Sequence, residues 1–183
     1  MRIAILNGDP DSDSEFGKCV HSVARCLAAS GHEVTTLDLV ELDLKGCCGC
    51  WGCWVKTPGE CARRDGSAEV CRAAISADLL VLASPITMGF TSALLKRAAD
   101  QMIPLLHPYI TLRGGEMHHR PRYGKYPALG LLLGAGADCD AEDVEITTAI
   151  WERTARNFVS RVVCTAVANR PAEEIANDFA SAA

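Results

Sequence analysis

Leu79-Leu80-Val81-Leu82-Ala83, followed at once by Ser84-Pro85, is an apolar run with no polar alternation. A strand with one wet face alternates apolar and polar residues, because successive side chains point to opposite sides of the sheet. A strand that is apolar throughout is covered on both faces, the condition of a parallel sheet layered between helices. The sequence on either side has the matching pattern. Arg2–Leu6 is a second short apolar run, ending in the turn residues Asn7-Gly8. Phe16, Val20, Val23, Ala24 and Leu27 recur at helical spacing, and Gly31 stops that helix. Glu33–Leu39 reads as a strand and Ser67–Ala77 as the helix that leads into the quoted run. Beyond it, Phe90, Leu94, Leu95, Ala98 and Met102 mark a helix ended by Pro104, and a long polar segment over 107–127 follows. Ala128–Leu133 and Arg161–Val167 read as strands around a helix carried by Val144, Thr148, Trp151, Ala155 and Phe158, and Pro171 opens a short terminal helix. Strands and helices therefore alternate along the chain. The pattern predicts an α/β doubly wound sandwich around a five-stranded parallel sheet, with residues 1–183 as a single domain.

Composition narrows the function classes. With 183 residues, 49% of them hydrophobic, the chain can bury a core without staples. A formal charge of −5 argues against a nucleic-acid binder, which needs a basic face. No apolar run approaches membrane-spanning length, and the sequence enters its first strand directly from Met1, so no membrane partner and a cytoplasmic location are expected. In such a compartment ten cysteines point to metal or redox work and not to a disulfide framework. Five of them crowd into 47–61; Cys19, Cys26, Cys71, Cys139 and Cys164 are scattered and read as small buried hydrophobes.

The crowded stretch is Cys47-Cys48-Gly49-Cys50-Trp51-Gly52-Cys53, closed by Cys61. Two-residue gaps let Cys47, Cys50 and Cys53 converge on one small object, and ferredoxin runs use this spacing to wrap an iron–sulfur cluster. Zinc is more often held by two separated pairs, and reduced thiols or a redox disulfide are the third alternative. Cys48 is a spare ligand or a bystander, while Trp51 and Trp54 either shield a cluster or pack the loop. In an open doubly wound sheet, ligands bind beyond the carboxyl ends of the strands. Loops 7–16, 84–90 and 134–140 occupy that edge, and the cysteine loop (46–65) lies on it as well.

Asn7-Gly8-Asp9-Pro10, the cysteine loop, Ser84-Pro85-Ile86-Thr87-Met88-Gly89, and Leu94-Leu95-Lys96 with Asp100 together carry a resemblance. The chain resembles the flavodoxin-like NADPH-dependent FMN reductases to about residue 165, and within them the iron–sulfur flavoproteins. The resemblance implies a flavodoxin-like fold with the FMN phosphate at Asp9, Ser12 and Ser14. It implies the flavin ring against Ser84, Pro85, Ile86, Thr87, Met88 and Gly89, and against Gly134 and Gly136. The implied activity moves electrons from NAD(P)H through FMN to a small-molecule or protein acceptor, in a homo-oligomer. No catalytic side chain is assigned. The alternative is an electron-transfer flavoprotein whose [4Fe–4S] cluster is held by Cys47, Cys50, Cys53 and Cys61. A third class is a non-catalytic metal-binding or interaction module that has lost FMN. One departure separates the chain from the family. The phosphate loop there typically reads Gly-Ser-Pro-Arg, but here Asp9, Asp11, Asp13 and Glu15 set four carboxylates beside an expected phosphate dianion, with Ser12 and Ser14 as the hydroxyl donors.

The 107–127 segment carries Glu116-Met117-His118-His119-Arg120-Pro121-Arg122-Tyr123-Gly124-Lys125-Tyr126, basic and aromatic on an acidic chain. It reads as an arm or lid, either over the phosphate of NADPH or as a dimer contact. His118 and His119 are candidate proton donors by residue type, but adjacent histidines rarely converge on one ion. His107 reads as a packed helix-end residue, and the acidic residues 138–143 as complements to a helix dipole.

Overall fold

The computed structural model describes residues 1–182. In chain order it runs β1 (Arg2–Asn7), α1 (Glu15–Ala29), β2 (Glu33–Asp38), the single turn α2 (Gly52–Val55), α3 (Ser67–Ser76) and β3 (Leu79–Thr87). There follow β4 (Phe90–Thr91), α4 (Ala93–Gln101), a 3-10 turn (Ile103–Leu105), β5 (Leu106–Arg113) and β6 (Glu116–Pro121). The chain ends with β7 (Ala128–Gly134), α5 (Ala141–Asn157), β8 (Val162–Val167) and α6 (Ala172–Ala182). Five parallel strands lie in the order β2-β1-β3-β7-β8, the flavodoxin-like order, and β4 folds back antiparallel onto the end of β3.

The apolar run over 79–83 is explained by its place. β3 is the central strand, and the core is split by the sheet into two layers. Ile3 and Ile5 of β1 and Leu79 and Val81 of β3 pack with Val20, Val23 and Leu27 of α1 and Phe179 of α6. The alternate residues Ala4, Leu6, Leu80 and Leu82 pack on the opposite face with Val70 of α3, Leu95 of α4 and Trp151 of α5. Each side chain of β3 from 79 to 83 is thus buried on whichever face it points to. The terminal helix runs for 11 residues, longer than the short one expected after Pro171, because Ile175, Ala176 and Phe179 fill the layer beside α1.

Two expectations are corrected. Phe90 belongs to β4, and α4 begins only after Ser92, whose hydroxyl accepts from the Leu95 N–H and caps the helix. The 107–127 segment is not an irregular polar connection but largely the hairpin β5–β6, turning at Gly114-Gly115, both with positive φ. A strand pair presents neighbours to opposite faces, and this decides its histidines. His118 is buried against α5, with Nδ1 3.1 Å from Asn157 Oδ1 and Nε2 3.2 Å from Glu116 Oε2. His119 faces the other way, its ring 5.0 Å from that of Trp54. Glu116 is held below its ordinary range by Arg153 and Arg156, against the opposing effect of its own desolvation. His118 and Glu116 therefore tie the hairpin to α5, and the two histidines share no ion. No helix among the described residues is long and apolar enough to cross a membrane.

At the opposite end of the sheet from the candidate loops, Asp78 accepts from the Arg2 backbone N–H at 2.8 Å and from Lys125 Nζ at 2.7 Å. These donors hold its pKa down at about 2. Its folded value lies below the unfolded one, so its stabilisation is complete above about pH 4 and is lost as pH falls from 4 towards 2. Asp78→Asn should lower stability by about 1 kcal/mol or less at pH 7, since the pair is partly exposed. Urea melts of both proteins should show that difference shrinking to nothing between pH 4 and pH 2.

Candidate functional site

The carboxyl ends of β1, β3 and β7 bring three loops to one edge, and a small polar knot fixes how they meet. Gly8 N–H donates to the Ala83 carbonyl at 2.8 Å, carrying the β1 loop across onto β3. Ser92 then bridges both: its hydroxyl donates to the Gly8 carbonyl at 2.5 Å, and its N–H donates to Ser84 Oγ at 2.8 Å. Gly8 has no room for a side chain, because a Cβ there would sit 2.7 Å from Leu95 Cβ. The third loop is wedged in the same way. A Cβ on Gly134 would lie 2.6 Å from the Phe16 ring, so the bare glycine lets the start of α1 lean on the end of β7.

The first loop is folded around its own carboxylates. Asp9, only 5% exposed, accepts from the Asp11 N–H at 3.1 Å and from the Ser14 hydroxyl. Its own N–H donates to Asn7 Oδ1 at 3.2 Å, and Asn7 is anchored in turn by donating to Asp38 Oδ1 at 2.7 Å. Asp13 N–H donates to Asp11 Oδ1 at 3.1 Å, while Ser14 Oγ caps α1 by accepting from the Gly17 N–H at 2.9 Å. Ser12 is half-buried between the exposed Asp11 and Asp13. Glu15, the fourth acid of the loop, pairs outward with Lys18 at 2.9 Å.

The second loop is a two-residue hairpin tip. Thr87 pairs with Phe90, and Met88 and Gly89 between them have φ of 53° and 77°. Positive φ at both positions is the backbone of a tight turn that matches the strand twist. Met88 is fully exposed at the tip, an unusual setting for a large apolar residue. Ser84 is different: it is wholly buried and its hydroxyl donates to the Pro85 carbonyl at 2.8 Å. Its oxygen therefore serves the knot, whereas Thr87, Met88 and Gly89 face outward. Gly134 and Gly136 lead the third loop away from β7, and Gly136 is exposed. It ends at the N-terminus of α5, where Asp140 and Asp143 cap each other reciprocally, the helix-dipole placement expected of these acids.

Cys47, Cys48, Cys50, Cys53 and Cys61 line one cavity of about 320 Å³ with Arg63, Asp100 and Gln101. The loop is pinned by Trp54, whose Nε1–H donates to the Leu106 carbonyl at 2.9 Å and whose ring stacks on Trp51 at 4.8 Å. Arg63 donates to the Gly46 carbonyl at 2.8 Å and closes the loop at its base. Cys53 is buried, and that burial, followed by the nearby Cys61 and Cys47 sulfurs, pushes its thiol pKa up. Cys50 is exposed and is pulled down by the Gly52 N–H and then by the Cys48 thiol. Cys71, beneath the loop, is pushed up to about 12 by burial and is an inert core thiol. Among the described residues, no three His, Cys, Asp or Glu side chains are gathered closely enough to hold a single metal ion. The thiols instead surround a space.

The structure thus brings the three predicted loops to one edge of the sheet, whereas the thiol cavity is lined by Asp100, Gln101, Ile103 and Pro104 at the C-terminal end of α4 and by no residue of those three loops. Sequence reasoning missed Asn7, Asp38, Phe16 and Ser92 as the residues that position those loops. Ser92 alone carried a readable signal, a hydroxyl just ahead of a helical pattern. The others matter through partners distant in sequence.

Comparison with known proteins gives the family and the fold. The profile of the NADPH-dependent FMN reductase family matches residues 1–134. An iron–sulfur flavoprotein of Archaeoglobus fulgidus is 30% identical over 107 residues, which are 58% of this chain and 48% of that protein. One from Methanocaldococcus jannaschii is 30% identical over 105 residues, 57% of this chain and 53% of its own. The chain spans about half the length of these curated relatives. Among solved structures, an apo NADH:FMN oxidoreductase superposes with a TM-score of 0.60 at 17% identity, over 98% of this chain and 87% of that one. An FMN-dependent NADH-azoreductase of Bacillus anthracis, in complex with FMN, gives 0.62 at 14% identity over 100% and 96%. At such identities these structures establish the shared fold.

The Phe16–Gly134 wedge makes a direct prediction. Gly134→Ala should cost about 1–3 kcal/mol by overpacking. In a Phe16→Ala background the same substitution should cost almost nothing, and a denaturant double-mutant cycle measures the difference.

Proposed function

The chain belongs to the NADPH-dependent FMN reductase family, and from that premise we propose that it is a flavin-dependent oxidoreductase moving electrons from NAD(P)H through FMN to a small-molecule or protein acceptor. The observation that carries this reading is the convergence of the outward-facing tip Thr87–Gly89, the Gly134–Gly136 loop and the α1 loop on one edge of the sheet. FMN, when bound, supplies a centre that accepts an electron pair from a nicotinamide and releases electrons singly. The chain's own part is to bind and orient. Thr87, Met88 and Gly89 offer backbone groups and an apolar side chain to a ring, the exposed Gly136 leaves its approach clear, and Ser12 offers a hydroxyl ahead of the helix. Ile86 and Pro85, half-buried, support the tip from beneath.

A second reading, an iron–sulfur flavoprotein, is favoured by one observation: Cys47, Cys50, Cys53 and Cys61 line a single cavity against the C-terminal end of α4. A cluster has its ligand sulfurs farther apart than a lone ion does, so thiols set around a cavity suit it better than they suit zinc. The names of the two archaeal relatives support the same reading. A homo-oligomer is the expected assembly. Tyr109, Leu112 and Met117 of the β5–β6 hairpin are each more than 60% exposed, a dense set of apolar side chains for one small hairpin.

The test is the visible spectrum of protein purified without oxygen, with flavin and iron quantified on the same sample and NADH and NADPH oxidation followed by the loss of nicotinamide absorbance. Bound flavin with nicotinamide oxidation is the expected result. A colourless protein that neither takes up flavin nor oxidises either nicotinamide would overturn the reductase reading. For the second reading, Cys53→Ser should cut the iron content by at least half while the far-ultraviolet circular dichroism stays unchanged. Iron absent from the wild type, or undiminished in the variant, would count against Cys53 as a cluster ligand.

A further inference from the structure

The loop that would receive a flavin phosphate already holds an anion of its own. A phosphate seat at a helix end works by presenting free N–H and O–H donors to a dianion. Here the donors around Asp9 are spoken for, and those left in the loop are the Ser12 hydroxyl and the Ser12, Glu15 and Phe16 N–H groups. Asp11 N–H and the Ser14 hydroxyl both go to the Asp9 carboxylate, one to each oxygen. Asp13 N–H goes to Asp11 Oδ1, Ser14 N–H to the Asp11 carbonyl at 3.1 Å, and Gly17 N–H to Ser14 Oγ. Asp9 is almost wholly buried, and among the described residues no Lys, Arg or His pairs with it. A buried carboxylate without a cation is held by hydrogen-bond donors, as a phosphate oxygen would be. In the loops after β3 and β7, Thr87 and Gly136 are exposed.

We propose that Asp9 acts as an internal anion in the phosphate seat, so that this chain selects a flavin by its ring and discriminates weakly between FMN and riboflavin. The inference rests on the flavin reading of the site given above. It makes Asp9 a specificity-determining residue and riboflavin, the same ring and ribityl chain without the phosphate, an admissible ligand. For FMN to bind with its phosphate in the loop, the carboxylate must give up Asp11 N–H and Ser14 Oγ or stand beside a second anion. Either requirement weakens FMN and leaves riboflavin untouched.

The experiment is equilibrium titration of the full chain with FMN and with riboflavin, read by quenching of flavin fluorescence. Wild type, Asp9→Ser and Asp9→Asn are compared, each checked for native circular dichroism. Wild type should bind the two flavins within about 3-fold of one another, since whatever the phosphate gains from the remaining donors is offset by the Asp9 carboxylate beside it. Asp9→Ser should tighten FMN by about 10-fold or more and leave riboflavin within about 3-fold. Asp9→Asn removes the charge but keeps an acceptor for Asp11 N–H, and it should shift FMN in the same direction by less. The inference is overturned if wild type already prefers FMN by about 100-fold, if neither folded variant gains FMN affinity, or if both flavins gain equally. Binding of neither flavin by any of the three proteins would remove the flavin reading itself, an outcome distinct from the loss of the Asp9 inference alone.

Discussion

Ser92 stands between two loops and joins both to the start of α4, and together with the Gly8 N–H bond to the Ala83 carbonyl it sets the geometry of the ligand edge. Its hydroxyl holds the Gly8 carbonyl while accepting from Leu95 N–H, and its N–H holds Ser84 Oγ. All of these groups are buried, where an unmet donor or acceptor costs more than a made bond contributes. The loop after β1, the tip after β3 and the start of α4 therefore move as one piece or not at all. Phe16 extends the same piece to β7 by filling the space that Gly134 leaves open. A binding edge built this way is set by packed, satisfied groups rather than by the loops' own preferences, which is how a site gains a fixed shape.

Charge lies at both ends of that edge. The tip after β3 carries the exposed Met88, and the Asp143 carboxylate at the start of α5 comes up to Gly89, where a Cβ would lie 3.3 Å from its Oδ1. The helix-end part carries Asp9, Asp11, Asp13 and Glu15, yet only Asp9 is turned inward; Asp11 and Asp13 are exposed and Glu15 is neutralised outward by Lys18. An electrostatic objection drawn from four carboxylates is thus largely an objection from one. That one is the most consequential, because it sits within reach of the donors and is shielded from solvent, where screening is weak.

The cysteine loop and the β5–β6 hairpin form a second connected unit. Trp54 donates to Leu106 and lies against His119, so the loop carrying the thiols is braced by a hairpin that the 107–127 composition disguises as polar coil. Arg122 adds to the brace by donating to the Pro104 carbonyl at 2.9 Å. The basic and aromatic character of this segment is spent mainly on holding the thiol cavity and α5 in place.

Much of the fold was legible in the sequence. Uninterrupted apolar runs at 2–6, 79–83 and 128–133 mean strands buried on both faces, and period-3.6 patterns between them mean helices on those faces; from these the parallel sheet follows by burial alone. The crowding of cysteines at 47–61 is likewise a property of the chain. The hairpin was not legible, because its strands are half-exposed and its apolar residues face no core of their own. Nor was the difference between Ser84 and Thr87, or between Asp9 and Asp11. Hydrophobic burial is non-directional and is written in composition and period. A hydrogen bond depends on distance and angle, and those between Ser92 and Gly8 and between Asn7 and Asp38 exist only once strands remote in sequence have been laid side by side. The sequence by itself determined which segments are buried and in what order they are layered; the tertiary structure alone decided which polar groups are consumed within the protein and which remain to meet a ligand.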